Sequence, residues 1–355
     1  MTTHNYLLFY EIIILFITFL TVTRLLFKNS GKNNIVAPID NSLSVVLCLF
    51  VILTIAFYPI ELGSDKQRYY ILFINAFKTF FVKDIGWYYY TVLCKSIFNN
   101  STIFFTITSV VYFIGNYYFL KAIVPKKYLF YFLLTLFGSL GYFGYGTNTM
   151  RAGVALSLFL IAFVKRKNVV PFVIFVCLSV LIHKSMLILV LSLILTKYIK
   201  NHKFYILFWL SFLIISILNL TFITSFIQDS FLSVDDRVGE YLSSKSNELY
   251  KAGYRYDFLL YSLFPIITGY YYIYKLKFRD ILYQQLYNIY LLVNSFWLLL
   301  IRIPFNDRFA YLSWFLFPLL LSYPLFIMKH QKKKNIKIAY IMLLIILLNF
   351  ILIIK

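Results

Sequence analysis

The chain has 355 residues, with 34 Lys and Arg against 13 Asp and Glu, a formal net charge of +21, and a composition that is 61% apolar and only 13% charged. With a mean hydropathy of +0.80, it carries too few charges to cover a soluble fold of this length, which excludes a soluble enzyme. The basic excess raises nucleic acid as a partner, but it is split among short loops between apolar runs with no continuous basic face, and nucleic acid is set aside.

The first residues, Met1 to Asn5, lack the positive stretch of a signal peptide, and no small-residue cleavage pattern follows, so the first apolar run is expected to stay as a span. A helix needs about 20 apolar residues to cross the hydrocarbon core and must satisfy its backbone internally. Such runs fall at roughly 6–27, 42–60, 101–120, 128–146, 150–164, 168–183, 186–200, 204–221, 258–275, 282–301, 308–328 and 338–354. They predict an all-α polytopic bundle of about twelve transmembrane helices in a single integral membrane domain over 1–355.

Two segments interrupt this pattern. Residues 61–100 contain Glu61, Asp65, Lys66, Arg68, Lys78, Lys83, Asp84 and Lys95, too much charge for a lipid-facing hairpin. They are expected to form an extracytoplasmic amphipathic helix over about 67–82 and a helix dipping into the bundle over about 85–98. Residues 222–257 mix Asp229, Asp235, Asp236, Glu240, Glu248 and Asp257 with Arg237, Lys245, Lys251 and Arg255, and are expected to be one large extracytoplasmic loop.

Orientation follows from six basic clusters, each after an apolar run: Arg24/Lys28/Lys32, Lys121/Lys126/Lys127, Lys165/Arg166/Lys167, Lys197/Lys200/Lys203, Lys275/Lys277/Arg279 and Lys329/Lys332/Lys333/Lys334/Lys337. They hold most of the basic residues, and only Asp40 and Asp280 lie among or beside them. The positive-inside rule places all six in the cytoplasm when both termini lie outside.

Basic residues left at outer span ends then need a separate reason. Arg151 opens a span after Asn148, His183 and Lys184 close the next, Arg302, Asp307 and Arg308 bracket Pro304, and Asp65 and Arg68 follow the second span. Ionisable groups at the edges of a bundle are functional candidates. Arginine suits a diphosphate, because its planar fork donates bidentate hydrogen bonds and stays charged in a low dielectric; the plainer reading is that each arginine snorkels to a lipid headgroup. A neutral His183 is suited to accept a hydroxyl proton, with Lys184 beside it lowering its pKa; the plainer reading is an interfacial histidine bonded to a backbone carbonyl. Cys48, Cys94 and Cys177 lie in apolar stretches without ligand spacing, and no HExxH, Walker A or GxSxG sequence occurs, so no metal or cofactor is expected.

The stretch Asn148-Thr-Met-Arg151, one span, Lys165-Arg-Lys167, a second span and then His183-Lys184-Ser185 resembles the core of the EpsG-like group of Wzy-type polysaccharide polymerases. Asp65 with Tyr69 is similar to an early acidic-aromatic element of that family, and Arg308-Phe-Ala-Tyr311 to a late arginine-tyrosine element. Ala152 departs from the pattern, which often carries glutamine there. The resemblance implies an enzyme of the bacterial cytoplasmic membrane that joins undecaprenyl-diphosphate-linked oligosaccharide repeat units, as donor and acceptor, on the extracytoplasmic face without a metal. It implies a catalytic set of His183, Asp65, Arg151 and Arg308, and substrate contacts from Asn148, Lys184, Arg302, Asp307, Tyr311, Arg68 and Tyr69. Membrane lipids, a chain-length regulator and a flippase are the implied partners. The alternatives are a lipid-linked oligosaccharide flippase or other transporter, and an O-antigen ligase or membrane acyltransferase.

Overall fold

The computed structural model describes residues 3–27, 41–78, 84–219, 253–302, 306–328 and 333–354, and these are helical with no strand among them. Contacts gather the chain into two units, Met1–Met186 with Ser322–Lys355, and Leu187–Leu321.

The first unit holds α1 (Thr3–Phe27), α2 (Asn41–Ala56), α3 (Ser64–Ile74), α4 (Ile85–Ile97), α5 (Ser101–Ile123), α6 (Leu129–Phe137), α7 (Tyr142–Thr147), α8 (Met150–Lys165) and α9 (Val169–Ile182). The second is built around α11 (His202–Leu218), α12 (Tyr256–Tyr270), α13 (Ile281–Leu299) and α14 (Asp307–Trp314). Two helices cross the division between the units, α10 (Met186–Tyr198) and α15 (Phe317–Ile327), while α16 (Lys334–Ile354) returns to the first and packs along α1.

Helices accompany all twelve apolar runs. Among the described residues four stretches, His4–Phe27, Ser101–Ile123, Asp307–Ile327 and Lys334–Ile353, are long and apolar enough to cross a membrane; shorter apolar helices include Ser42–Ala56, Val169–Ile182, Met186–Tyr198 and His202–Leu218. The 128–146 run is not one helix. α6 stops at Phe137, Gly138 caps it, and Gly141 turns the chain at φ 93°, a left-handed conformation that glycine adopts without a Cβ penalty, before α7 begins. The amphipathic helix starts at Ser64 and ends at Ile74, earlier at both ends than expected, whereas α4 matches its expected range. Most of the 222–257 loop lies outside the described residues, and its last two residues already belong to α12.

In the first unit α8 is the central helix, buried from Met150 to Phe163 nearly all round, and it packs on α5 and α9. Small side chains permit this. A Cβ on Gly115 would stand 2.0 Å from Ser157 Oγ, so α5 and α8 cross with backbones nearly touching. Ser157 Oγ donates back to the Val111 and Tyr112 carbonyls at 2.8 Å, and Ser179 Oγ of α9 donates to Ala155 O at 2.7 Å. Apolar solvent does not drive helices together in lipid, so such hydrogen bonds help define the contact. In the second unit Asn294 on α13 does comparable work. It accepts from Trp209 Nε1 at 2.8 Å and donates to Ser262 Oγ and Ser313 Oγ at 3.2 and 3.1 Å, joining four helices through one satisfied buried amide.

Candidate active site

Arg151 is the second residue of α8, and Asp84 immediately precedes α4. Asp84 is 1% exposed, and its carboxylate does not cap α4. It faces Arg151 instead, with Nη1 donating to Oδ2 at 2.5 Å in a buried ion pair. Arg151 Nε also donates to the Tyr69 hydroxyl of α3 at 3.4 Å, and its guanidinium lies 5.6 Å from the Tyr69 ring centroid. Tyr69 in turn packs on Trp87 of α4, ring centroids 5.3 Å apart. Trp87 Nε1 is buried without a hydrogen-bond partner among the described residues, a rarity for a polar group.

His183 is the residue that ends α9, its amide donating to Ser179 O at 3.0 Å. Its Nδ1 stands 3.9 Å from Asp84 Oδ1, while the imidazole keeps 15% exposure. Gly86 makes this meeting possible: a Cβ there would come within 2.7 Å of the Leu181 carbonyl carbon and 2.9 Å of Ile182 N, both backbone atoms. The start of α4 therefore lies directly against the end of α9. Helix dipoles reinforce the polarity, since the positive N-terminal end of α4 favours the Asp84 carboxylate and the negative C-terminal end of α9 favours a protonated imidazole.

Around this cluster the expected residues separate. Asn148 is exposed at the end of α7, with Oδ1 3.6 Å from where a Cβ on Gly63 would stand, so it borders the turn between α2 and α3. Asp65 is half-buried in the first turn of α3, while Arg68 and Lys184 are exposed. Lys66, beside Asp65, is 1% exposed and donates to the carbonyls of Ile55, Ala56 and Tyr58 at 3.3, 2.9 and 2.6 Å. It thus caps the C-terminal end of α2, where helical carbonyls lack partners.

The second unit holds the remaining candidates. Asp307 opens α14 and faces Arg308, the Tyr311 hydroxyl and Arg255. Arg255 itself holds Asp257 through both prongs of its fork, at 3.0 and 2.9 Å, and lies 3.6 Å over the Phe258 ring. Arg302 donates from Nη2 to Ser216 O at 3.3 Å and lies 4.8 Å over Tyr254, while its Nε is buried without a hydrogen-bond partner among the described residues. Pro304 lies outside the described residues.

Sequence reading missed Asp84, Lys66 and Arg255 as members of these clusters. Asp84 had one signal, an acid directly before the Ile85-Gly86-Trp87 start of a helix expected to dip into the bundle. Its partner could not be read, because Arg151 lies 67 residues away. Among the described residues no group of three His, Cys, Asp or Glu side chains is placed to hold a metal ion.

A model of the EpsG family matches residues 41–355. No curated protein and no solved structure matches the chain.

Proposed function

The chain belongs to the EpsG family of membrane-embedded, polysaccharide polymerase-like proteins, and from that premise we propose that it polymerises carrier-linked oligosaccharide repeat units on the outer face of the bacterial cytoplasmic membrane. The growing glycan passes from one undecaprenyl diphosphate to the terminal sugar hydroxyl of a second carrier-linked unit. The observation that carries this reading is the buried Arg151–Asp84 pair facing His183, an arrangement that holds a cation and a proton acceptor together at a partly open helix junction.

The roles divide by chemistry. His183 accepts the proton of the attacking hydroxyl, for which an imidazole is well matched near neutral pH. Arg151, in the first unit, stabilises the negative charge that grows on the departing diphosphate, and Arg308 and Arg302, in the second, have the fork chemistry that suits a carrier diphosphate. Asp65, Asn148, Lys184, Arg68, Asp307 and Tyr311 serve binding of sugar and carrier. Twelve spans with both termini outside place these groups on one side of the membrane.

The flippase reading has one observation in its favour. Glu11 is 2% exposed within α1, with Oε2 lacking a hydrogen-bond partner among the described residues and Asn349 of α16 as a polar neighbour. An ionisable group at membrane depth is a feature of transport pathways. One experiment separates the two readings. Purified protein in liposomes, given carrier-linked single units, should produce a ladder of longer carrier-linked glycans; movement of units across the bilayer with no growth in length would replace the polymerase by a flippase.

A further inference from the structure

Asp84 stands between the two groups to which the polymerase reading gives chemical roles. One carboxylate oxygen accepts from Arg151 and the other faces His183 Nδ1 at 3.9 Å. The carboxylate is buried, and the Arg151 charge beside it favours the ionised form. The imidazole keeps partial exposure. Across the ring from Nδ1, Nε2 is the nitrogen that would take the proton of a substrate hydroxyl. The facing backbones are locked, because Gly86 leaves no space between α4 and the last turn of α9.

From this geometry we infer that Asp84 is the positioning residue for His183, holding the imidazole in the tautomer with hydrogen on Nδ1, so that Nε2 acts as the base. The inference rests on the polymerase reading. In the reaction the acceptor hydroxyl gives its proton to Nε2 as its oxygen bonds to the anomeric carbon of the donor. The bond from that carbon to the carrier diphosphate breaks, its electron pair leaves with the diphosphate, and the imidazolium later returns the proton to water. Asp84 keeps its negative charge throughout and stabilises the imidazolium. The 3.9 Å separation closes to a hydrogen bond when substrate binds, as catalytic hydrogen bonds often tighten only in the complex.

Charged and titratable groups near His183 among the described residues include Asp84 before α4, Arg151 on α8, Lys184 next in the chain, and Tyr69 of α3 through its bond to Arg151. Among these groups Asp84 carries the negative charge that favours the imidazolium, beside the C-terminal dipole of α9. Removing its charge should therefore move the acid limb of the rate profile to lower pH.

The test uses full-length protein in liposomes with carrier-linked single units extracted from a strain lacking it. Asp84→Asn should lower kcat on the order of 100-fold or more with KM nearly unchanged, and should shift the acid limb downward. In a His183→Gln background the same change should add less than about threefold, because the base it positions is already gone. Asp84→Glu, which keeps charge but displaces it, should retain more activity than Asp84→Asn and a wild-type acid limb; it carries the comparison if the asparagine variant yields too little folded protein. Wild-type kcat in Asp84→Asn, less activity in Asp84→Glu than in Asp84→Asn, or an equal loss from either change with and without His183, overturns the assignment. An inactive wild-type protein would instead sink the polymerase reading and this inference with it.

Discussion

Arg151 and Asp84, 67 residues apart in the chain, meet in a buried ion pair between the first turn of α8 and the start of α4. The pair is embedded among aromatic side chains, with Tyr69 on the guanidinium and Trp87 behind Tyr69. Desolvation makes such a pair costly to form and still more costly to break on one side.

Arg151→Met should therefore destabilise the folded protein by about 3–5 kcal/mol, because the buried Asp84 loses its arginine partner. Arg151→Met with Asp84→Leu should recover much of that loss and yet make no polymer. Thermal unfolding in detergent beside a polymer assay checks both. Arg151→Lys and Arg308→Lys should each cost on the order of 100-fold in rate at equal expression, since lysine keeps the charge but loses the planar fork. Near-normal polymer from either variant would return that arginine to headgroup snorkelling.

Gly86→Ala is a test of the helix junction. The added methyl would meet the Leu181 carbonyl and Ile182 amide, which are backbone and cannot swing aside. Moving α4 away from α9 should cost about 1–3 kcal/mol. The same displacement parts Asp84 from His183, so polymer should fall more steeply than the amount of folded protein. Wild-type stability and activity in Gly86→Ala would show that the two helices are not in such close contact.

Lys66 supplies a pH-dependent signature. Burial pushes its amine down from the ordinary 10.5 to about 7. The unfolded chain thus binds this proton more readily than the folded one between those values, so Lys66 makes stability fall as pH drops from about 10 to about 7, with no further loss below. Lys66→Met takes the amine, which has two N–H donors when neutral, away from the Ile55, Ala56 and Tyr58 carbonyls and should cost on the order of 2 kcal/mol at pH 10. The stability gap between wild type and variant should narrow toward pH 7. A gap that widens instead would mean that the charged amine is the form the fold prefers.

Much of the framework was legible because it rests on local pattern. Apolar runs gave helices, and the charged 61–100 segment gave α3 and α4 as separate elements. The break between α6 and α7 was hidden by averaging hydropathy over a run whose glycines, Gly138 and Gly141, act one at a time. At the site, Arg151 and His183 stood out as ionisable groups at span ends, and Tyr69 through the family resemblance. Asp84 did not, because its meaning lies in a pairing across 67 residues and in the space left by Gly86, neither of which has a local signature.

Topology has a direct test. In a variant lacking Cys48, Cys94 and Cys177, a cysteine at exposed Asn99 or Asn148 should react with an impermeant maleimide added to intact cells, whereas one at exposed Asn168 should react only after permeabilisation. The opposite pattern would invert the membrane orientation and move the Arg151 cluster to the cytoplasm.

The most direct measurement is the length profile of surface and carrier-linked glycan in a strain from which this protein has been deleted. Loss of a polymerase should leave single repeat units outside the membrane and no longer chains, with length restored by the wild-type protein and not by His183→Gln. Long chains persisting on the carrier, or no units reaching the outer face at all, would contradict polymerisation as the function, pointing to a ligase in the first case and a flippase in the second.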